Sequence, residues 1–235
     1  AASDVYKRQL RERLHAYAEK AMREAGVHTT WFDVNEEFET SIHQWIDSTI
    51  DNHGEDITVF VAEIAPAAEM VSLSKKLLHI MGPGIPDIYQ GTEFFTDSLV
   101  DPDNRRPVDF AQRLEALDRV SRGDVRDKDD ERLYLIATAL QIRNQFELDN
   151  ASYLPVMATG TMERHVLGTL RGDDVITLVT RRPLDILRDG WADTTVALPE
   201  GVWEDRLSGS MWEGEVPLAS LFSERGQAIL TRMGA

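Results

Sequence analysis

The sequence predicts an α/β fold in which a largely helical part is followed by an antiparallel β-sheet or sandwich. Three observations carry this prediction. From Leu10 onward, apolar residues recur at three- and four-residue steps, as on one face of a helix. Within 67–91, a helical pattern, a glycine-rich turn and a short apolar run follow one another, an order typical of α/β layers. After Tyr153, short β-rich runs are separated by glycine, aspartate and proline.

The helical part divides at residues that start or stop helices. Gly26 is the expected C-terminal cap of the first helix, and Asn35 is the expected N-terminal cap of the second. The second helix is expected to turn five apolar residues inward: Phe38, Ile42, Trp45, Ile46 and Ile50. The sequence DNHGED at 51–56 should break this helix. The next run, ITVFVAEIA, fits either a strand or a buried helix, and Pro66 interrupts it before a third helix at 67–81.

The sequence between the third helix and residue 150 predicts a short strand, a long loop and another helix. IPDIYQG at 85–91 has the length and composition of a buried strand. The irregular segment 92–109 is expected to be ordered and functional, because it carries several large apolar residues. Among them, Phe94 and Phe95 would either stack on a ligand or anchor the loop from below. RLYLIATALQIRNQF at 132–146 has the pattern of an amphipathic helix.

Changes in composition set the expected domain boundaries. The first nine residues, AASDVYKRQ, lack apolar periodicity and are interpreted as a non-native extension, 1–9. The helical part then covers 10–150. The all-β part covers 151–235, because the β-rich runs begin at about residue 151.

Composition and charge narrow the class of ligand. The formal net charge is −16 and the isoelectric point about 4.7. This charge argues against nucleic acid or an anionic membrane surface as a partner, since both need a basic face. This charge fits a neutral ligand such as a sugar, although an acidic composition that serves solubility explains it equally well.

The chain has no cysteine, so disulfides and thiolate metal sites are excluded. No residue cluster implies a metal or organic cofactor. No apolar run is expected to be long enough to cross a bilayer and no signal peptide opens the sequence, so the cytoplasm is the expected location.

One stretch carries the pattern of a binding site, YQGTEFFTDSLVDPDNRRPVDF at 89–110. Adjacent Arg105 and Arg106 point in different directions in an extended backbone. One can therefore pair with Asp101 or Asp103 while the other donates hydrogen bonds to sugar hydroxyls. Two prolines stiffen the loop and reduce the entropy lost on binding. Residue types alone slightly favour the alternative, an internally paired loop that only covers the end of a sheet.

Family resemblance shifts that balance towards a sugar site. Gly84, Pro86, Tyr89, Gly91 and Glu93 match the pattern that follows the last barrel strand in the α-amylase superfamily, Gly-x-Pro-x-x-Tyr-x-Gly-x-Glu. The extension SLVDPDNRRPVD is narrower and resembles the maltooligosyltrehalose synthases, of glycoside hydrolase family 13. Two further blocks are similar to the same family: AYAEKAMREAGVHTTWFDVNEEFE and LPEGVWEDRLSG. The resemblance covers the chain from about Leu10 to its end.

The sequence departs from the family pattern at several positions. Gly26 stands where the family usually has lysine, Val34 where it has proline, and Phe38 where it has tyrosine. Val71 and Lys75 depart from the family's NSLSQ.LL. The missing lysine at Gly26 weakens any sugar contact expected there.

The resemblance implies the last part of a (β/α)8 barrel followed by the β domain. It also implies an enzyme of trehalose biosynthesis, which isomerises the reducing-end α-1,4 bond of a maltooligosaccharide to an α,α-1,1 bond. In this family the three catalytic carboxylates lie upstream of the block that begins at Leu10. The chain is therefore expected to lack them, to need the N-terminal part of the same enzyme as its partner, and to be inactive alone. The alternatives are a fragment of another α-glucan hydrolase or transferase, or a non-catalytic glucan-binding module.

The same resemblance assigns candidate substrate contacts and no catalytic residue. Asp87 and Glu93 are interpreted as structural residues or as supports of residues that contact the substrate. The candidates on the acceptor side of the sugar site, in decreasing order of weight, are Asp101, Asp103, Arg105, Arg106, Tyr89, Gln90, His28 and Trp31.

Overall fold

The computed structural model describes residues 2–99 and 107–234, with side chains from Lys7 onward. The chain forms two compact units. The first unit is Ala1–Glu63 with Asp97–Pro107, and the second unit is Ile64–Thr96 with Val108–Ala235. This division rests on compactness alone, and the predicted boundary near residue 150 stays a prediction.

Helices dominate the described residues before Tyr153, and strands follow. The helices are α1 (Ala2–Ala25), α2 (Glu36–Met81), α3 (Phe110–Val120), α4 (Lys128–Gln145), α5 (Pro183–Asp189) and α6 (Leu218–Leu221), with 3-10 turns at Leu148–Asn150 and Glu163–His165. The strands are β1 (Tyr153–Val156), β2 (Ala158–Thr159), β3 (Val166–Arg171), β4 (Val175–Thr180), β5 (Thr195–Ala197), β6 (Trp203–Asp205), β7 (Met211–Trp212), β8 (Glu215–Pro217) and β9 (Gln227–Arg232).

The first unit contains α1 and the beginning of α2. α1 starts before Leu10, because the preceding lysine, arginine and glutamine favour helix even without apolar periodicity. Gly26 ends it in the left-handed region, with φ +64°. The predicted cap at Asn35 is confirmed, since its Oδ1 accepts the backbone N–H of Phe38 at 3.1 Å. The predicted inward face is only partly right: Ile46 and Ile50 are buried, whereas Trp45 is 65% exposed.

α2 continues through both predicted breaks. A glycine inside a helix costs only about 1 kcal/mol, and α2 passes through Gly54 without interruption. Pro66 also lies inside α2. Its cost of about 3 kcal/mol is offset by packing further along, where Leu73 and Leu77 are buried. The predicted interruptions at 51–56 and at Pro66 are therefore wrong.

One stretch of α2 is unusually apolar. By length and composition alone, the helix is apolar enough to cross a membrane. One window of 18 residues has a mean hydropathy of 1.5, and 17% of that window is buried. This finding contradicts the expectation that no apolar run reaches that length. The same criterion is met by core helices of soluble proteins and by signal sequences, so it carries no further conclusion.

In the second unit, the strands form two antiparallel sheets. Their orders are β1-β3-β4-β9-β6-β7 and β2-β5-β8. All six residues of β4 are buried, because both faces of its sheet are covered. Ile176 and Leu178 face a core shared with β5 and β8. Val175 and Val179 face a second core formed with α2 and α4. The predicted antiparallel sheets after residue 150 are confirmed.

The predicted strand at 85–91 does not form. Residues 85–88 have no regular structure, and a tight turn begins at Tyr89. A strand needs a neighbour for its backbone hydrogen bonds, and the described strands all begin at or after Tyr153. The barrel implied by the family resemblance is accordingly not among the described elements and stays a prediction.

Candidate functional site

The candidate site in the second unit is centred on a tight turn that begins at Tyr89. The carbonyl of Tyr89 accepts hydrogen bonds from the backbone N–H (3.0 Å) and the hydroxyl (2.7 Å) of Thr92. Gly91 has φ +88°, and a Cβ added to it would lie 3.1 Å from a methyl group of Val108. The backbone angle therefore favours glycine here, and a Cβ would also crowd Val108.

Arg113 of α3 holds the turn from one side. Its Nη2 donates to the carbonyl of Gly91 at 2.9 Å, and its Nε donates to Oε2 of Glu93 at 3.2 Å. The guanidinium also lies 4.6 Å from the ring centroid of Phe94, which is only 7% exposed. Glu93 thus pairs inside the protein, in agreement with the structural role predicted for it. Phe94 anchors the turn from below and does not present its ring to a ligand.

Arg132 and Asp129 of α4 hold the turn from the other side. Arg132 donates from Nε to the carbonyl of Thr92 (2.9 Å) and from Nη1 to the hydroxyl of Ser72 in α2 (3.0 Å). Asp129 accepts the backbone N–H of Phe95 at 2.8 Å. Burial lowers the pKa of the Arg132 guanidinium from its usual value. The turn is therefore fixed to three helices of the unit.

Two more arginines fix the chain on its way into this turn. The end of α2 leaves backbone carbonyls without helical partners, and cations are favourable there. Arg143 donates to the carbonyl of Ile80 at this end (2.8 Å), and to those of Gly82 (3.0 Å) and Gly84 just beyond it. Arg171 is buried and donates to the carbonyl of Met81 at 2.8 Å. Burial lowers the pKa of Arg171.

The turn leaves two candidate residues at the surface. Tyr89 is 48% exposed, and the side chain of Gln90 is exposed as well. A phenol hydroxyl and a carboxamide can both donate and accept hydrogen bonds. Arg113 and Arg132 hold the next two residues of the turn, Gly91 and Thr92, so Tyr89 and Gln90 are presented on a rigid support. Their predicted contact with substrate stays a prediction.

The other described candidates, His28 and Trp31, lie in the first unit on the loop between α1 and α2. The loop is closed locally, since the hydroxyl of Thr30 accepts the backbone N–H of Asp33 at 2.8 Å. Trp31 is 51% exposed, with the guanidinium of Arg23 5.1 Å from its ring centroid. His28 is exposed and packs on Phe38, with the rings 4.9 Å apart. Trp31 is thus not a core residue.

A buried ion pair supports this loop. The Glu39 carboxylate accepts hydrogen bonds from Nε (2.9 Å) and Nη2 (2.8 Å) of Arg23, and from the hydroxyl of Thr29 (2.6 Å). The hydrogen bond from Arg23 is the largest cause that lowers the pKa of Glu39 to about 2, followed by that from Thr29. Sequence patterns missed this pair because its members are 16 residues apart.

The pH dependence of stability tests the role of Glu39. Its pKa is lowered in the folded state, so its stabilising effect is complete above the ordinary carboxyl pKa of about 4.3. The effect is lost as pH falls from there towards about 2. We expect Glu39→Gln to lower the urea midpoint at pH 6 and to flatten its decline below about pH 4.3. Exposed Glu37, in the same helical turn, provides the control Glu37→Gln. Identical pH profiles for the two variants would contradict this role.

The remaining candidates cannot be placed. Asp101, Asp103, Arg105 and Arg106 lie outside the described residues, so their assignment as substrate contacts stays a prediction. The part of the chain that the structure describes contains no group of three or more histidine, aspartate or glutamate side chains placed to hold a metal ion.

Comparison with known proteins identifies what the chain resembles. No family model matches it. Curated proteins from two strains of Mycobacterium tuberculosis, named maltooligosyl trehalose synthase, are 40% identical to it over 229 residues. Those residues are 96% of this chain but only 29% of the relatives, so the chain spans less than a third of the length of the curated proteins it matches.

Solved structures agree with the curated relatives. The maltooligosyltrehalose synthase from Arthrobacter ramosus has a TM-score of 0.87 and 39% identity, over 95% of this chain and 30% of the synthase. A hypothetical maltooligosyl trehalose synthase of Sulfolobus tokodaii has a TM-score of 0.71 and 27% identity, over 95% of this chain and 29% of that protein. The chain is therefore similar, along nearly its whole length, to one part of a class of synthase enzymes. Those enzymes are maltooligosyltrehalose synthases, and the resemblance predicted from the sequence is confirmed.

Proposed function

We propose that the chain is the C-terminal part of a (1→4)-α-D-glucan 1-α-D-glucosylmutase. Such an enzyme isomerises the reducing-end α-1,4 bond of a maltooligosaccharide to an α,α-1,1 bond in trehalose biosynthesis. The observation that carries the proposal is 40% identity to curated synthases over 96% of the chain. The proposal includes membership of glycoside hydrolase family 13, a cytoplasmic location, and a (β/α)8 barrel whose last part belongs to this chain.

The reaction defines what such a part must contribute. Retaining glucosyl transfer needs a carboxylate nucleophile and a carboxylic acid close to it. We assign these groups to the part of the relatives that the chain does not span. The released glucose must stay bound, turn over and attack through its anomeric hydroxyl. The acceptor side must therefore hold one glucose firmly and keep water away.

We assign that acceptor side to the segment that begins at Tyr89. The rigid turn supports the assignment, because Arg113 and Arg132 fix its backbone while Tyr89 and Gln90 remain exposed. A preorganised surface of this kind loses little entropy when a sugar binds. Asp101, Asp103, Arg105 and Arg106 complete the assigned contacts.

The loop of the first unit adds candidate contacts of a different kind. The half-exposed indole of Trp31 offers an apolar face on which a glucose ring can stack. The imidazole of His28 is exposed and can hydrogen-bond to a hydroxyl. Hydrogen bonds from Arg23 and Thr29 to Glu39 tie this loop to the helices on either side of it.

The fate of reducing ends tests the proposal. We expect the purified chain to cause no loss of reducing ends from maltohexaose, because the catalytic carboxylates lie outside it. Adding the complementary part of the Arthrobacter ramosus synthase should restore the loss and yield a non-reducing, trehalose-ended product. A loss of reducing ends with the chain alone would contradict this division of roles.

Product analysis separates the proposed reaction from other α-glucan chemistry. A hydrolase would raise the number of reducing ends and release shorter sugars, whereas the isomerisation keeps the length of the oligosaccharide. Binding of maltohexaose by the complemented protein, with no turnover in either sense, would instead indicate a glucan-binding module.

A further inference from the structure

A concavity of about 500 Å³ opens in the second unit beside α2. One face of the helix, within residues 68–79, lines it together with Arg132 from α4. Lys75, Lys76 and Arg132 bring three positive charges to this lining, and His79 is a fourth titratable group. None of the described residues that line it is acidic, in a chain with a formal net charge of −16. The local charge is thus opposite to that of the protein as a whole.

One cation of this lining is held in place, and the positive charge of the lining is only partly compensated. Arg132 is fixed by its bonds to Thr92 and Ser72. Lys76 is half-buried, and burial followed by the charge of Arg132 lowers its pKa. Two carboxylates, Glu93 and Asp87, act on Lys76 from outside the lining. Glu93 already pairs with Arg113, whereas a third carboxylate, Asp129, acts on Arg132. The lining therefore keeps a net positive charge that is smaller than the sum of its three cations.

We propose that this concavity is a binding site for an anion of the phosphate or phosphate-ester class. Two ammonium groups and a guanidinium match the charge of a phosphate group, about −1.5 to −2 at pH 7. Ser72 accepts its bond from Arg132 and so retains a hydroxyl proton to donate to a phosphate oxygen. The volume exceeds that of inorganic phosphate alone and leaves room for a small esterified group.

Lys75 distinguishes this site from the sequence pattern of the family that the chain resembles. It is one of the positions at which the sequence departs from the NSLSQ.LL pattern of the family it resembles, where glutamine is usual. Its side chain is exposed, so Lys75→Gln removes one charge from the site without disturbing the core. The proposal stands independently of the proposed glucan chemistry, because it concerns a different ligand and because Lys75 and Lys76 have no part in the glucan site, although Arg132 supports both.

Titration calorimetry with inorganic phosphate, glucose 6-phosphate and glucose tests the site on the chain at low ionic strength. We expect saturable one-to-one binding of the two phosphates, whereas any binding of glucose should be unaffected by Lys75→Gln. Affinity should fall steeply with salt, because the screening length shrinks from about 10 Å at 0.1 M to about 3 Å at 1 M. Lys75→Gln should weaken phosphate binding about fivefold, the usual weight of one charge-assisted contact. Lys75→Glu should weaken it further.

The matched control is Lys7→Gln, which makes the same charge change at an exposed position in the first unit. It should leave phosphate binding unchanged. Tighter binding of glucose 6-phosphate would identify an ester ligand, and equal affinities would identify free phosphate. The proposal is overturned if phosphate fails to saturate the chain, or if the control weakens binding as much as Lys75→Gln does. Amide shift changes on phosphate addition should map to α2 around Lys75, and changes confined to other regions would also overturn it.

Discussion

Replacing Trp203 with alanine is expected to lower the free energy of unfolding of the second unit by about 3–5 kcal/mol. Among the described residues, Trp203 has the largest fully buried side chain, and it lies in β6. Its Nε1 donates to the carbonyl of Pro199 at 2.9 Å, and the Arg232 guanidinium lies 5.0 Å from its ring centroid. Alanine would leave a cavity in a core bounded by hydrogen-bonded strands, which cannot move together to fill it.

Urea unfolding measures this effect, and Trp45 offers the matched control. Trp45→Ala removes the same side chain from a position that is 65% exposed, so its effect should stay within about 0.5 kcal/mol. Trp203→Phe should cost less than Trp203→Ala, because it keeps much of the ring volume. A loss below about 1 kcal/mol for Trp203→Ala would show that the core between the two sheets is not packed as described.

The β domain was predictable because its signal is local. β4 reads VITLVT, a run of β-branched and leucine residues that suits a strand covered on both faces. Its neighbours are short and separated by turn residues. The cap at Asn35 was predictable for the same reason, since the hydrogen bond spans only three residues. Strand order and register depend on distant pairings, such as that of Thr177 with Ile229, and no local pattern contains them.

α2 shows how a local signal misleads. Gly54 and Pro66 are genuine helix breakers in isolation, yet their cost is small beside the burial of Leu73 and Leu77 against the β-sheets.

α3 shows the opposite case, because the sequence carries a local signal for the start of this helix. Asp109 caps it, accepting the backbone N–H of Gln112 at 3.0 Å. An aspartate before a mixed apolar and polar run is an ordinary helix start.

At the candidate site, the sequence indicated where the turn lies but not what holds it. The spacing of Tyr89, Gly91 and Glu93 marked the turn through its resemblance to a family pattern. The supporting arginines carry no such mark. Arg132 reaches Ser72 across 60 residues, and Arg113 reaches Gly91 across 22. A single sequence does not reveal contacts at these separations, because they depend on how the helices pack.

Arg143 gives the clearest test of this hidden support. We expect Arg143→Ala to lower the free energy of unfolding by about 3 kcal/mol, because buried carbonyls would lose their donor. Ile80 and Gly82 are the carbonyls affected first, at 2.8 and 3.0 Å. Amide hydrogen exchange should also become faster near Gly82, whose N–H bonds to the carbonyl of Leu78 at 2.9 Å. The segment that leads to Tyr89 would therefore loosen before the sheets do.

Two further variants separate geometry from charge. Arg143→Lys keeps the charge, but one ammonium cannot span carbonyls that a planar guanidinium reaches together, so most of the loss should remain. Arg188→Ala removes an exposed arginine that pairs with Asp189, and it should change stability by less than about 0.5 kcal/mol. Full recovery in Arg143→Lys would assign the role to charge at the end of α2. If lysine fails to restore stability, as we expect, the role belongs instead to the planar guanidinium, whose several donors fix the backbone before the turn. The same donors then also fix the position of Tyr89 and Gln90.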